Sequence, residues 1–117
     1  MSVEYERGDV VEATDPFGER SASRPFVIVS TADHPFHGDQ YVALTLTTKT
    51  WYDETIPLAE EDFVEGGLPR ESFVVPWGVG SPQQTDIETY LGRLAAQTVD
   101  RAVEQMTGYV TKTDESA

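Results

Sequence analysis

The chain sets short apolar runs between turn residues for most of its length, then changes period near its end. Val10-Val11-Glu12-Ala13 is the first β-like run, and Asp15-Pro16-Phe17-Gly18 after it is a turn signature. Phe26-Val27-Ile28-Val29, following Pro25, is continuously apolar, as expected of a buried strand. The segment Asp33-His34-Pro35-Phe36-His37-Gly38-Asp39 reads as a loop. Residues 41–48 alternate cleanly, with Val42, Leu44 and Leu46 pointing one way and Ala43, Thr45 and Thr47 the other. Weaker strands are predicted at 54–58, 72–75 and 88–93, separated by Gly66-Gly67-Leu68-Pro69 and Gly78-Val79-Gly80-Ser81-Pro82. Val99, Ala102, Val103, Met106 and Val110 then fall on one face of an amphipathic helix. Asp100, Arg101, Glu104 and Gln105 take the opposite face, and Gly108 suits the stop. The pattern predicts a mainly β (α+β) fold, a small curved sheet or partial barrel with the terminal helix packed across it. Residues 1–110 are expected to form one domain, and residues 111–117 a polar, frayed tail.

Composition narrows the classes. At 117 residues one domain with a real core is expected, and 38% hydrophobic residues are too many for a disordered chain. No run approaches the roughly 20 apolar residues of a membrane helix. The opening Met-Ser-Val-Glu-Tyr-Glu has neither a basic region nor an apolar run, so no secretory signal and a cytoplasmic location are expected. The absence of cysteine excludes disulfides, thiolate metal sites and cysteine nucleophiles. Twenty-one acidic against eight basic side chains leave a net charge of −13, and the only lysines are Lys49 and Lys112. The acids are dispersed rather than gathered in a tail, which predicts a halophile protein built for molar salt; an ordinary acidic protein is the plainer reading.

Candidate chemistry is sparse. There is no phosphate-binding glycine loop, no zinc-protease helix motif and no hydrolase elbow. His34, His37, Asp33 and Asp39 lie within seven residues and are donors suited to a divalent ion, but their spacing matches no common site. A solvated loop is the alternative, so no metal and no cofactor are expected; an acid–base role for either histidine stays open. Glu60-Glu61-Asp62 and Glu65 are either a carboxylate acid–base cluster or a solvated face. Trp51, Tyr52 and Trp77 could stack on bases, or close the core or a dimer interface. Arg24 directly precedes the apolar run beginning at Pro25, and Thr47 lies on the non-leucine face of its strand. In a small curved sheet such positions can converge on one cleft; equally, Arg24 could pair with an acid and Thr47 be an ordinary β-branched strand residue.

At these residues the chain resembles the MazF/PemK (Kid)-type toxin endoribonucleases. The resemblance is carried by Arg7-Gly8-Asp9-Val10-Val11, Asp15-Pro16-Phe17-Gly18-Glu19 and Arg24-Pro25-Phe26-Val27-Ile28-Val29-Ser30. Leu46-Thr47-Thr48-Lys49, Arg70-Glu71-Ser72-Phe73-Val74-Val75 and Leu91-Gly92-Arg93-Leu94 continue it in order. It implies an SH3-like β-barrel with a C-terminal helix, a symmetric homodimer, metal-independent cleavage of single-stranded RNA, and an antitoxin partner that covers the RNA groove. It also implies that Arg24 and Thr47 are catalytic, giving a 2′,3′-cyclic phosphate, or its opened form, and a 5′-hydroxyl. Glu19, Thr48, Lys49 and Trp77 are the candidate substrate-binding residues. Where many members continue Asp-Gln-x-Arg-Thr after the strand, this chain has Pro76-Trp77-Gly78-Val79-Gly80. Its first loop is also slightly shorter and its basic residues are few. Those departures leave a second expectation, a non-catalytic SH3-like module that binds protein or nucleic acid.

Overall fold

The computed structural model describes residues 4–14, 22–50 and 52–112. Seven strands precede one helix: β1 (Asp9–Thr14), β2 (Ser23–Ile28), β3 (Ala43–Thr47), β4 (Ile56–Leu58), β5 (Phe63–Gly66), β6 (Ser72–Gly80), β7 (Ile87–Leu94) and α1 (Ala96–Val110). They form one sheet in the order β4-β6-β3-β2-β1-β7-β5, with every pairing antiparallel. The sheet curls into a half-barrel, the small β-barrel architecture the apolar pattern predicts. A single 3-10 turn at Glu60–Asp62 joins the outermost strands, β4 and β5, so the chain itself links the sheet's two edges.

Alternation assigns each side chain to one of two apolar clusters. Val10, Val27, Leu44, Leu46 and Val74 face α1 and pack with Val99 and Ala102. Val11, Ala13, Phe26, Ile28, Ala43 and Tyr41 form a second cluster on the other face. Val10 and Val11 are both fully buried on opposite faces, which explains two adjacent valines in one strand. Each such large side chain contributes about 1.5–3 kcal/mol through removal from water. Pro25 sits inside β2 without breaking a ladder, because pairing to β3 starts at the next residue, Phe26. Arg93 and Asp9 face each other across β1 and β7; the Arg93 Nε–H donates to the buried Asp9 Oδ1 at 2.7 Å, and the Glu6 N–H donates to Asp9 Oδ2 at 2.8 Å.

Three expectations are corrected. Gly78-Val79-Gly80 belongs to β6 and is not a turn; neither glycine is among those with positive φ in the described residues. A Cβ on Gly80 would come within 3.0 Å of the Phe26 ring, so close packing is what favours glycine there. The segment around Glu65 is a strand, β5, paired with β7. Gly108 does not end α1, which runs on to Val110; Tyr109 is held by the Gln105 Nε2–H donating to its hydroxyl at 2.9 Å and by the Trp77 ring at 6.2 Å. Val110 is accordingly 76% exposed rather than part of the buried face. The turn at Asp15-Pro16-Phe17-Gly18, Glu19, Trp51 and residues 113–117 lie outside the described residues.

Candidate functional site

Arg24 and Thr47 are brought onto one face by strand register. Phe26 pairs with Thr45, Val27 with Leu44 and Ile28 with Ala43, and beyond that ladder Arg24 lies two residues before Phe26 on β2 and Thr47 two residues after Thr45 on β3. Both side chains therefore stand on the sheet face that carries Phe26 and Ala43, away from α1, and both are half-buried. The Lys49 N–H donates to Thr47 Oγ1 at 3.1 Å. That bond occupies one lone pair of the hydroxyl oxygen and leaves its O–H as a donor.

The remaining candidates divide. Thr48 lines a cleft of about 200 Å³ with Glu12, Pro25, Arg70 and Leu91. Lys49 is exposed at the end of the same strand. Arg24, Lys49 and Arg70 thus gather three of the chain's eight basic residues around one end of β2 and β3. Arg70, for which the sequence reading held no role, also lines an adjoining cleft of about 570 Å³ with Leu58, Phe63, Gly67 and Ser72. Trp77 turns elsewhere: its ring meets Tyr52 edge-on at 5.5 Å and Tyr109 of α1 at 6.2 Å, beside Glu54.

Thr45 and Gly78 were also missed as a pair. A Cβ on Gly78 would collide with Thr45 Oγ1, between Thr47 and Ala43 on the face of Arg24. The register of β3 with β6 shifts between Leu44 and Leu46, so residues 75–78 bulge over Thr45. Of the carboxylates read as a possible proton-transfer cluster, Asp62 is structural. Its Oδ2 accepts the Ala59 N–H at 2.7 Å and its Oδ1 accepts the Thr98 hydroxyl at 3.0 Å, pinning the start of α1. Glu65 accepts the Tyr90 hydroxyl, and that bond holds the Tyr90 phenol up at about 12 from its usual 10.0. His34 Nδ1 accepts the Phe36 N–H at 3.0 Å, while His37 packs edge-on against Tyr41 at 5.7 Å.

No protein-family model and no curated protein matches the chain by sequence. Solved structures do match it by shape. A MazE–MazF structure from Deinococcus radiodurans superposes with a TM-score of 0.75 at 14% identity, covering 95% of this chain and all (100%) of that one. A mycobacterial endoribonuclease in complex with its cognate antitoxin gives 0.67 at 20% identity, covering 90% and 91%. The Mycobacterium tuberculosis toxin MazF-mt6 gives 0.62 at 20% identity, covering 86% and 93%. The chain therefore has the MazF fold along nearly its whole length.

Proposed function

We propose that this chain is an RNA-cleaving toxin of the MazF type that cuts single-stranded RNA by attack of a 2′-OH on the adjacent phosphodiester, without a metal in the reaction. The observation that carries the reading is Arg24 and Thr47 on one sheet face, at the same end of β2 and β3, in a MazF fold. The internal nucleophile is already in the substrate, so the enzyme's task is to orient the phosphate and stabilise its added charge. Arg24 offers a rigid fork of donors to two phosphate oxygens, and the Thr47 O–H donates to a third oxygen or to the 2′-OH. Thr48, Lys49 and Arg70, near the same end of β2 and β3, are the candidates for contacts to flanking phosphates. The products are a 2′,3′-cyclic phosphate, or its opened form, and a 5′-hydroxyl.

The same reading supplies an antitoxin partner, as in the MazE–MazF and cognate-antitoxin structures that share the fold, and a cytoplasmic setting. It also supplies a homodimer, supported by Trp77 and Val79, which lie 42% and 54% exposed on β6. No helix among the described residues is long and apolar enough to cross a membrane. The dispersed charge of −13 supports work in molar salt, where an acidic surface no longer repels RNA. The test is incubation of one long single-stranded RNA with wild type, Arg24→Ala and Thr47→Val in molar KCl with EDTA, sequencing the ends and checking folding by circular dichroism. Wild type cuts, leaving 5′-hydroxyl ends, and both folded variants do not. Equal cutting by all three would show the site to be elsewhere. No cutting by wild type would favour the non-catalytic binding module, for which the Pro76-Trp77-Gly78 bulge is the supporting feature.

A further inference from the structure

The segment leading into β1 lies against the loop of residues 33–39. The Tyr5 N–H donates to the Tyr41 hydroxyl at 3.1 Å, and the two rings meet edge-on at 6.1 Å. This docking brings Glu4 and Glu6 to His37, and the ligand atoms of all three lie within 4.8 Å of one another. They are the one such grouping of three or more donors among the described residues. The His37 side chain is only 9% exposed, and its buried Nδ1 has no hydrogen-bond partner. Its Nε2 faces Glu6 Oε2 at 3.7 Å. That is too long for an N–H···O bond, whose usual range ends at about 3.2 Å. It is close to the roughly 3.3–3.5 Å between two donors that share one tetrahedral ion at bonds of about 2.0–2.2 Å. Gly38 completes the arrangement: a Cβ there would stand 2.9 Å from Glu4 Oε1, so the missing side chain lets that carboxylate close onto the loop.

We propose that Glu4, Glu6 and His37 form a binding site for a divalent transition-metal ion of the Zn²⁺ class. Two carboxylates set beside one imidazole gain from a cation between them, and the imidazole favours Zn²⁺ over Mg²⁺ or Ca²⁺, which prefer all-oxygen sites. The site lies by Tyr41, at the end of β2 and β3 opposite Arg24 and Thr47. Its role is to staple the N-terminal segment to the loop, independent of RNA cleavage. Because the site exists only in the folded chain, bound metal raises the melting temperature by mass action.

The experiment titrates the full chain, stripped with a chelator and held at constant ionic strength, with Zn²⁺ and separately with Mg²⁺. Melting temperature and calorimetric stoichiometry are read, and Co²⁺ serves as a visible-absorbing probe. One Zn²⁺ binds per chain and raises the melting temperature, Mg²⁺ at the same concentration does not, and Co²⁺ shows the spectrum of a nitrogen-ligated ion. The double variant Glu4→Gln, Glu6→Gln keeps the metal-free fold, because both side chains are exposed, yet loses at least tenfold in Zn²⁺ affinity. Unchanged affinity in that variant overturns the site, as do many weak ions per chain or an equal response to Mg²⁺. A Co²⁺ spectrum of oxygen ligands alone removes His37 from it.

Discussion

In the proposed reaction Arg24 and Thr47 would act through different chemistry, and their variants would separate accordingly. Arg24→Ala removes the fork that stabilises the charged phosphorane and is expected to lower the cleavage rate by about 10²–10³. Arg24→Lys recovers little, because a point ammonium cannot span two oxygens. Thr47→Val keeps the β-branched shape and deletes the donor, so melting is preserved while cleavage falls; rates on one RNA substrate read both. Tyr90 supplies a pH effect at the same scale. Its hydroxyl donates to Glu65, and its pKa is raised from 10.0 to about 12 in the folded chain. The contribution is therefore complete below about pH 10 and is lost as pH rises towards 12. Melting followed across that window declines for wild type and declines less for Tyr90→Phe, which also lacks the late step in tyrosinate absorbance. Alternation made the shared face of Arg24 and Thr47 legible, while their catalytic roles came from the resemblance alone. Glu4 and Glu6 were not legible, since their meeting with His37 depends on a docking 31 or more residues away along the chain, which no local pattern encodes.

At the scale of elements, β1, β2, β3 and α1 could be read from periodicity, and the departures concentrate on glycine and acidic segments. Gly78 and Gly80 carry the same letters as a turn, but here they make room for Thr45 and Phe26 across a bulge. Nothing in the local sequence distinguishes a glycine chosen for close approach from one chosen for positive φ. β5 was hidden because its exposed residues, Val64 and Glu65, follow three consecutive acids rather than an apolar run. The Gly78 contact gives a prediction. Gly78→Ala drives a methyl into Thr45 Oγ1 and should lower stability by about 1–3 kcal/mol, as overpacking does. Pairing it with Thr45→Ala should restore part of the loss, so a double-mutant cycle on melting or denaturant midpoints shows a coupling of at least about 0.5 kcal/mol. Additive losses would place the strain elsewhere.

For the whole molecule the governing quantity is charge. Eight basic residues face 21 acids, and Arg7 and Arg93 are already engaged by Asp100 at 2.8 Å and Asp9 at 2.7 Å. Self-repulsion of the remainder weakens a compact state at low ionic strength and is screened in molar KCl, where the Debye length is about 3 Å. Circular dichroism should show the helix and sheet signal strengthen between 50 mM and molar KCl. Sedimentation equilibrium in the high-salt sample should give about twice the 13.0 kDa chain mass. An unchanged melting temperature across that range would remove the halophilic reading, and a strict monomer would remove the proposed homodimer.

The seating of β1 between β2 and β7 also has a consequence in time. Its partner Arg93 lies 84 residues downstream of Asp9, so on the ribosome the first strand emerges early and meets its second neighbour almost last. Until then Val10 and Val11 lack β7 and Val10 lacks α1, and pairings of such long range close slowly. A chain ending before Ile87 should accordingly give little sheet signal, and synthesis, rather than any inhibitor, sets the earliest moment at which the surface carrying Arg24 and Thr47 can be complete.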